Sequence, residues 1–149
     1  MLTVRAVDGK DPAPVIYSKN LSVNIDSKIV KNSPIIFTSS KNSEKISKLT
    51  QKGAKIEIMS DNFLIKETLE ILWEKYRLNS MLLEGGADII SSFLKENLID
   101  EFHILKSPRT LGNGHPLFDS ENKKLFETFF SKVLSTTCDK DTIEVFQRN

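Results

Sequence analysis

The chain has one cysteine, no excess of either charge and no long apolar run, and each shortage removes a class of protein. A lone Cys138 cannot close an internal disulfide, and no Cys/His cluster has metal-ligand spacing, so a disulfide scaffold and a zinc module are both excluded. Lys and Arg number 21 against 20 Asp and Glu, a net charge of +1. Binders of nucleic acid or anionic membrane normally carry a basic excess, so neither is an expected partner. No stretch approaches the roughly 20 apolar residues that span a bilayer, and the start MLTVRAVDGKD lacks a signal peptide's apolar segment. The 149 residues, 39% hydrophobic, suit one domain, which at this size buries roughly two-thirds of its unfolded surface. The expectation is a cytoplasmic, metal-free single domain over residues 1–149.

Within that length, short β-type runs alternate with helical ones. Pro14–Tyr17, Pro34–Thr38 and Lys55–Met59 are compact apolar runs bounded by Pro, Gly, Ser and Asn, which predicts buried strands. Ser43–Gln51 reads as a helix stopped by Gly53. The clearest helix is expected over Asp61–Arg77. Its residues Ile65, Leu69, Leu72, Trp73 and Tyr76 form one stripe, with Asp61 as N-cap and both aromatics in the core. Ser80–Glu84 reads as a strand, Ala87–Glu96 as a helix stopped by a left-handed Asn97, and Glu101–Lys106 as a strand. Lys106–Asp119 is punctuated by Pro and Gly and reads as loop. Residues 126–146 read as two long strands turned at Asp139-Lys140-Asp141. This order predicts an α/β sandwich, a largely parallel sheet finished by an antiparallel edge.

Chemistry concentrates in Leu82-Leu83-Glu84-Gly85-Gly86-Ala87-Asp88-Ile89-Ile90. Paired glycines let backbone approach a ligand, and a helix starting at once offers free N–H groups and a positive dipole end. Such a seat at a strand's carboxyl end is where open α/β sheets bind phosphates. A tight turn with a surface glutamate explains the same residues, and local sequence leaves both readings open. His103, alternating with Phe102 and Ile104, reads as a packed or solvated sheet residue. His115, between Gly114 and Pro116, reads as a loop residue with some prospect of touching a ligand.

The surrounding residues decide more. Glu84-Gly85-Gly86, Leu98-Ile99-Asp100-Glu101, Pro108, Leu111-Gly112 and Leu117-Phe118 resemble, in order, the reductase domain of riboflavin biosynthesis, a member of the dihydrofolate-reductase-like superfamily. Leu2-Thr3-Val4-Arg5 is similar to that family's LTVR, and Val15-Ile16-Tyr17-Ser18 to its strand ending in Asp-Ser. The resemblance implies a three-layer dihydrofolate-reductase-like sandwich. It implies NADPH-dependent reduction of 5-amino-6-(5-phosphoribosylamino)uracil to its ribitylamino form, which opens the ribose. Glu84 would contact substrate as an orienting or acid group, the orienting role being preferred. Leu2 and Arg5 would also contact substrate, Arg5 pairing with its phosphate. Cofactor contacts would come from Ser18 and from Gly85, Gly86, Ala87, Asp88, Ile89, Ile90, Ser91 and Ser92. The family's cis peptide would fall at Gly85-Gly86. Thr38 and Ser39 stand where dihydrofolate reductases hold the cofactor's 2′-phosphate, although a capped turn fits equally. A homodimer paired through a sheet edge is expected.

One departure stands out. The family domain normally begins before LTVR, with a Ser-Leu-Asp-Gly step and a Thr-Val-Leu-x-Asp-x-Pro segment, so an amino-terminally truncated domain with exposed sheet edges is expected. The family's zinc deaminase motifs are absent too. Two other readings follow: a related reductase of another substrate such as a pterin, or a non-catalytic, dimerising nucleotide-binding remnant.

Overall fold

Proline and glycine delimit the strands where the chain's turn residues predict. The computed structural model describes residues 3–110 and 112–149, arranged as two compact units, Met1–Phe63 and Leu64–Asn149. In the first unit, β1 (Val15–Tyr17), β2 (Ile35–Thr38) and β3 (Lys55–Ile58) form a parallel sheet in that order. Its registers include Val15↔Ile35 and Ile36↔Ile56. The central strand β2 is buried along its whole length, which is why it reads as an unbroken apolar run. Helix α1 (Ser43–Gln51) is capped by Asn42, whose side chain accepts the Lys45 N–H at 3.0 Å. It ends as predicted at Gly53, which takes φ +91° while Ala54 N–H reaches back to the Leu49 carbonyl. Leu21, Val30, Ile36, Leu49 and Ala54 form this unit's core.

The second unit begins with α2 (Ile65–Glu74), shorter than the expected Asp61–Arg77. Asp61 lies in a turn and is not its N-cap. The orphaned first N–H groups are taken instead by Glu96, whose carboxylate accepts Ile65 N–H at 2.8 Å and Lys66 N–H at 3.0 Å. The buried face is Ile65, Thr68 and Leu72. Trp73, expected in the core, is 53% exposed because it lies a further 100° or so around the helix from Leu72.

Ser80–Glu84 corrects a second expectation. It is not a strand, and Leu82 is 71% exposed. A strand needs a ladder partner, and the three-stranded sheets of the described residues are built from other segments. Helix α3 (Ala87–Lys95) follows, and Asn97 at φ +53° ends it as predicted. Strand β4 (Glu101–Lys106) is where the sequence places it.

Helix α4 (Ser120–Phe129) was not foreseen. Asp119 caps it, accepting Asn122 N–H at 2.7 Å. Asn122, Leu125, Phe126 and Phe129 form its inward stripe, at i, i+3, i+4 and i+7. Strands β5 (Phe130–Cys138) and β6 (Asp141–Arg148) form the expected terminal hairpin, turning at Asp139-Lys140 with Asp139 at φ +55°. The sheet is antiparallel in the order β4-β6-β5. Phe102, Phe126, Phe130 and Phe146 pack against one another beneath it, with ring centroids 5.0–5.4 Å apart. The fold class is α/β, with a parallel and an antiparallel sheet. No helix among the described residues is long and apolar enough to cross a membrane.

Candidate functional site

The site residues fall in two clusters, one in each unit. In the first, the carboxyl ends of β1 and β2 are tied together through one carbonyl. Lys19 C=O accepts Thr38 Oγ1–H at 2.9 Å, Ser39 N–H at 3.2 Å and Ser39 Oγ–H at 3.4 Å. Ser18 donates its N–H to the Phe37 carbonyl, and its hydroxyl accepts Ser22 N–H at 2.9 Å. Ser18, Thr38 and Ser39 are thus neighbours at the end of a parallel sheet, as ligand-binding residues of open α/β sheets are. The Thr38 hydroxyl is buried, spends its hydrogen on Lys19 and accepts Ser40 N–H. Lys41, three residues further along the chain, is exposed. Arg5 is exposed, its Nε donating to Thr3 Oγ1 at 3.3 Å. Leu2 lies outside the described residues, as does Leu111 of the Leu-Gly motif.

In the second unit, Glu84, Gly85 and Gly86 are exposed and lead directly into α3. The Gly85-Gly86 peptide is trans, correcting the cis expectation; Gly86 enters the helix in an extended conformation (φ −71°, ψ 174°). The two glycines are needed for different reasons. A Cβ on Gly85 would lie 2.0 Å from Ile89 Cγ2, whereas one on Gly86 would meet nothing within 4 Å. Gly85 is a packing requirement, and Gly86 leaves open space at the helix end. Gly86 has no side chain to cap α3, so the first-turn N–H groups face outward with the positive end of the helix dipole. Asp88 stands in that first turn; Ile89 and Ile90 are half-buried. Ser92 Oγ donates to the Asp88 carbonyl, and Ser91 Oγ accepts from Asn122.

Beside this helix end lies a cavity of about 490 Å³. Ala87, Asp88 and Ser91 line it from α3, Asp119 and Asn122 from the start of α4, and His115 from the intervening loop. His115 is a candidate from its place between Gly114 and Pro116; Asp119 and Asn122 are not among the residues the sequence motifs single out. Their signal was present: an Asp cap three residues before an Asn that opens an apolar helical stripe. His103 keeps its structural reading, exposed and 2.6 Å from Glu101. Gln147 and then His103, hydrogen-bonded to Glu101, hold that carboxyl below the usual range.

Residues 1–143 match the model of the RibD C-terminal domain. The riboflavin biosynthesis protein RibD of Aquifex aeolicus is 32% identical over 121 residues, covering 79% of this chain and 33% of that protein. The 2,5-diamino-6-ribosylamino-4(3H)-pyrimidinone 5′-phosphate reductase of the same organism is 29% identical over 117 residues, covering 74% of this chain and 51% of its own length. The structure of Acinetobacter baumannii RibD superposes with a TM-score of 0.81 at 21% identity, covering 99% of this chain and 42% of that one. The chain thus spans between a third and about half the length of these relatives.

Proposed function

The chain belongs to the RibD C-terminal domain family, and from that premise we propose that it is a single reductase domain, reducing 5-amino-6-(5-phosphoribosylamino)uracil to its ribitylamino form with NADPH. The observation that carries the reading is the helix entrance at Gly86. A glycine with open space where a side chain would stand, two residues after Glu84, leads into uncapped N–H groups. This is a fit for a dinucleotide phosphate. A nicotinamide bound here supplies the hydride.

The chain's own residues then bind and orient. Gly85 holds the turn against Ile89, and Gly86 with the first turn of the segment Ala87–Ser92 receives the phosphates. Ser18 and Ser39 contact the cofactor from the ends of β1 and β2. Selectivity for NADPH over NADH draws on Lys41 and on Ser39, whose hydroxyl reaches the Lys19 carbonyl only at 3.4 Å, whereas the Thr38 hydroxyl is held to it at 2.9 Å; Thr38 acts by shaping that turn. Glu84, exposed and acceptor-only when ionised, orients a substrate hydroxyl or amine. Arg5 pairs with the substrate phosphate through its planar fork, and Leu2 is a further substrate contact by its match to the family motif. Holding the reacting carbon at near-attack distance is the protein's share of catalysis. The chain acts in the cytoplasm as a homodimer.

Fluorescence titration with NADPH, with NADH as control, tests the cofactor reading. Saturable binding that favours NADPH is the expected result. Turnover of the pyrimidine substrate, lost in Glu84→Ala with NADPH binding retained, is expected next; full activity in that variant overturns the role of Glu84. The exposed Leu82 segment favours one other reading, a dimerising nucleotide-binding module without turnover. A folded dimer that binds NADPH and oxidises it with no pyrimidine or pterin is the outcome that selects it.

A further inference from the structure

The chain's near-neutral total hides an uneven division of charge. Between Lys19 and Lys55 stand eight lysines, no arginine and two acids, Asp26 and Glu44, a net charge of +6. The rest of the chain holds 13 basic and 18 acidic residues. In the structure the basic stretch is one body. Leu21 and Val30 from the loop after β1, Ile36 from β2, Leu49 from α1 and Ala54 share a single core. The loop also abuts the end of α1, since a Cβ on Gly53 would lie 2.9 Å from Ser33 Oγ.

The lysines stand on the solvent side of that core. Lys41, Lys45, Lys48 and Lys52 fall within about 60° of arc on α1 and its flanks. Lys19, Lys28 and Lys31 are exposed in the loop. Lys48 pairs with Glu44 and Lys52 with Asp26, which leaves no acid in the stretch for the other six. An all-lysine set suits attraction at a distance, because the ammonium stays hydrated and lacks the planar fork with which arginine fixes a phosphate.

This charge surrounds Ser18, Thr38 and Ser39, where the Lys19 carbonyl ties the ends of β1 and β2 together. A unit of 63 residues has a radius of gyration of about 11 Å. At about 10 mM salt the screening length is about 30 Å, so every lysine acts on an anion near those strand ends; at about 150 mM it is about 8 Å, and only the nearest do.

We propose that the lysine-rich body of residues 19–55 steers anionic ligands to the ends of β1 and β2, raising the rate of association without contacting the bound ligand. The inference rests on the cofactor reading above, with NADPH as the ligand. Lys28, Lys31 and Lys48 act through their charge alone.

The test is stopped-flow fluorescence of NADPH binding to the full chain, which separates association from dissociation. Association should slow about tenfold as NaCl rises from about 10 to about 150 mM, while dissociation changes far less. NADH, with one phosphate fewer, should show a shallower salt dependence. The triple variant Lys28→Gln, Lys31→Gln, Lys48→Gln should associate about threefold more slowly at low salt, and Lys28→Glu, Lys31→Glu, Lys48→Glu about tenfold, both with unchanged dissociation. All three positions are exposed, and circular dichroism checks that each variant is folded. Association indifferent to salt and to these variants overturns the steering and leaves the cofactor reading standing. Faster dissociation with unchanged association makes the lysines ligand contacts and also overturns it, as do equal salt slopes for the two nucleotides. A folded parent that binds neither nucleotide overturns both readings.

Discussion

At the residue scale, two adjacent glycines that look equivalent in sequence do different work. Gly85→Ala puts a methyl 2.0 Å from Ile89 Cγ2, so the turn or the helix must move. Overpacking of this kind costs about 1–3 kcal/mol, and a lowered urea midpoint is the expected outcome. Gly86→Ala meets nothing within 4 Å and has an ordinary φ of −71°, so its stability should stay within about 0.5 kcal/mol of the parent. If a dinucleotide phosphate seats there, Gly86→Ala should nonetheless weaken NADPH binding, because the new methyl occupies the ligand's approach. Parallel denaturation and titration of the two variants separate packing from binding. The pairing of the glycines was legible in the sequence. Which of them serves the fold was not, because that depends on where Ile89 comes to rest one helical turn later.

At the element scale, helix ends show what a local reading misses. Asn42 and Asp119 cap the helices that follow them, as their types allow. Helix α2 is capped by a residue 31 positions away, Glu96. Glu96→Ala leaves two N–H groups without that acceptor. It should cost about 1–2 kcal/mol in urea unfolding, whereas Asp61→Ala, at the position first expected to cap, should cost little. Helix α4 is hard to read in the sequence because its amphipathic stripe begins with a polar residue, Asn122, which is buried by its bonds to Asp119 and to Ser91 of α3.

Across the second sheet, Glu144 on β6 is held between Lys106 on β4 and Lys132 on β5, the latter at 2.6 Å. The Lys106 ammonium hydrogen-bonded to it, and then Lys132, keep its carboxyl below the usual glutamate range. A carboxyl lowered on folding contributes stability above its unfolded value, about 4.3, and loses it as pH falls through the lower folded value. The urea midpoint should therefore decline from about pH 5 downward, and Glu144→Gln should flatten part of that decline. The rest remains, because Lys52 holds Asp26 low, and Lys48 holds Glu44 low, in the same direction.

At the scale of the whole molecule, each compact unit has its own sheet and its own core, an aliphatic one around Ile36 and Leu49 and an aromatic one around Phe126. The single-domain proposal predicts one cooperative transition in urea. Trp73, the chain's one tryptophan, reports only on the second unit, while circular dichroism reports on both. The two curves should coincide, and separated midpoints would make the units independent folding bodies.

By itself the sequence determined the strands β1 to β4, helices α1 and α3, the terminal hairpin, the glycine and asparagine helix stops, and the family, through motifs such as Glu84-Gly85-Gly86 and Leu98-Ile99-Asp100-Glu101. These are settled by neighbours within a turn or a strand: apolar period, a left-handed stop, a cap. Only the tertiary structure decided that Ser80–Glu84 is no strand, that Trp73 faces outward, that Glu96 caps α2, and that Asn122 is buried. Each of these depends on a partner distant in sequence, or on the lack of one, and periodicity along a chain carries no record of what packs against it.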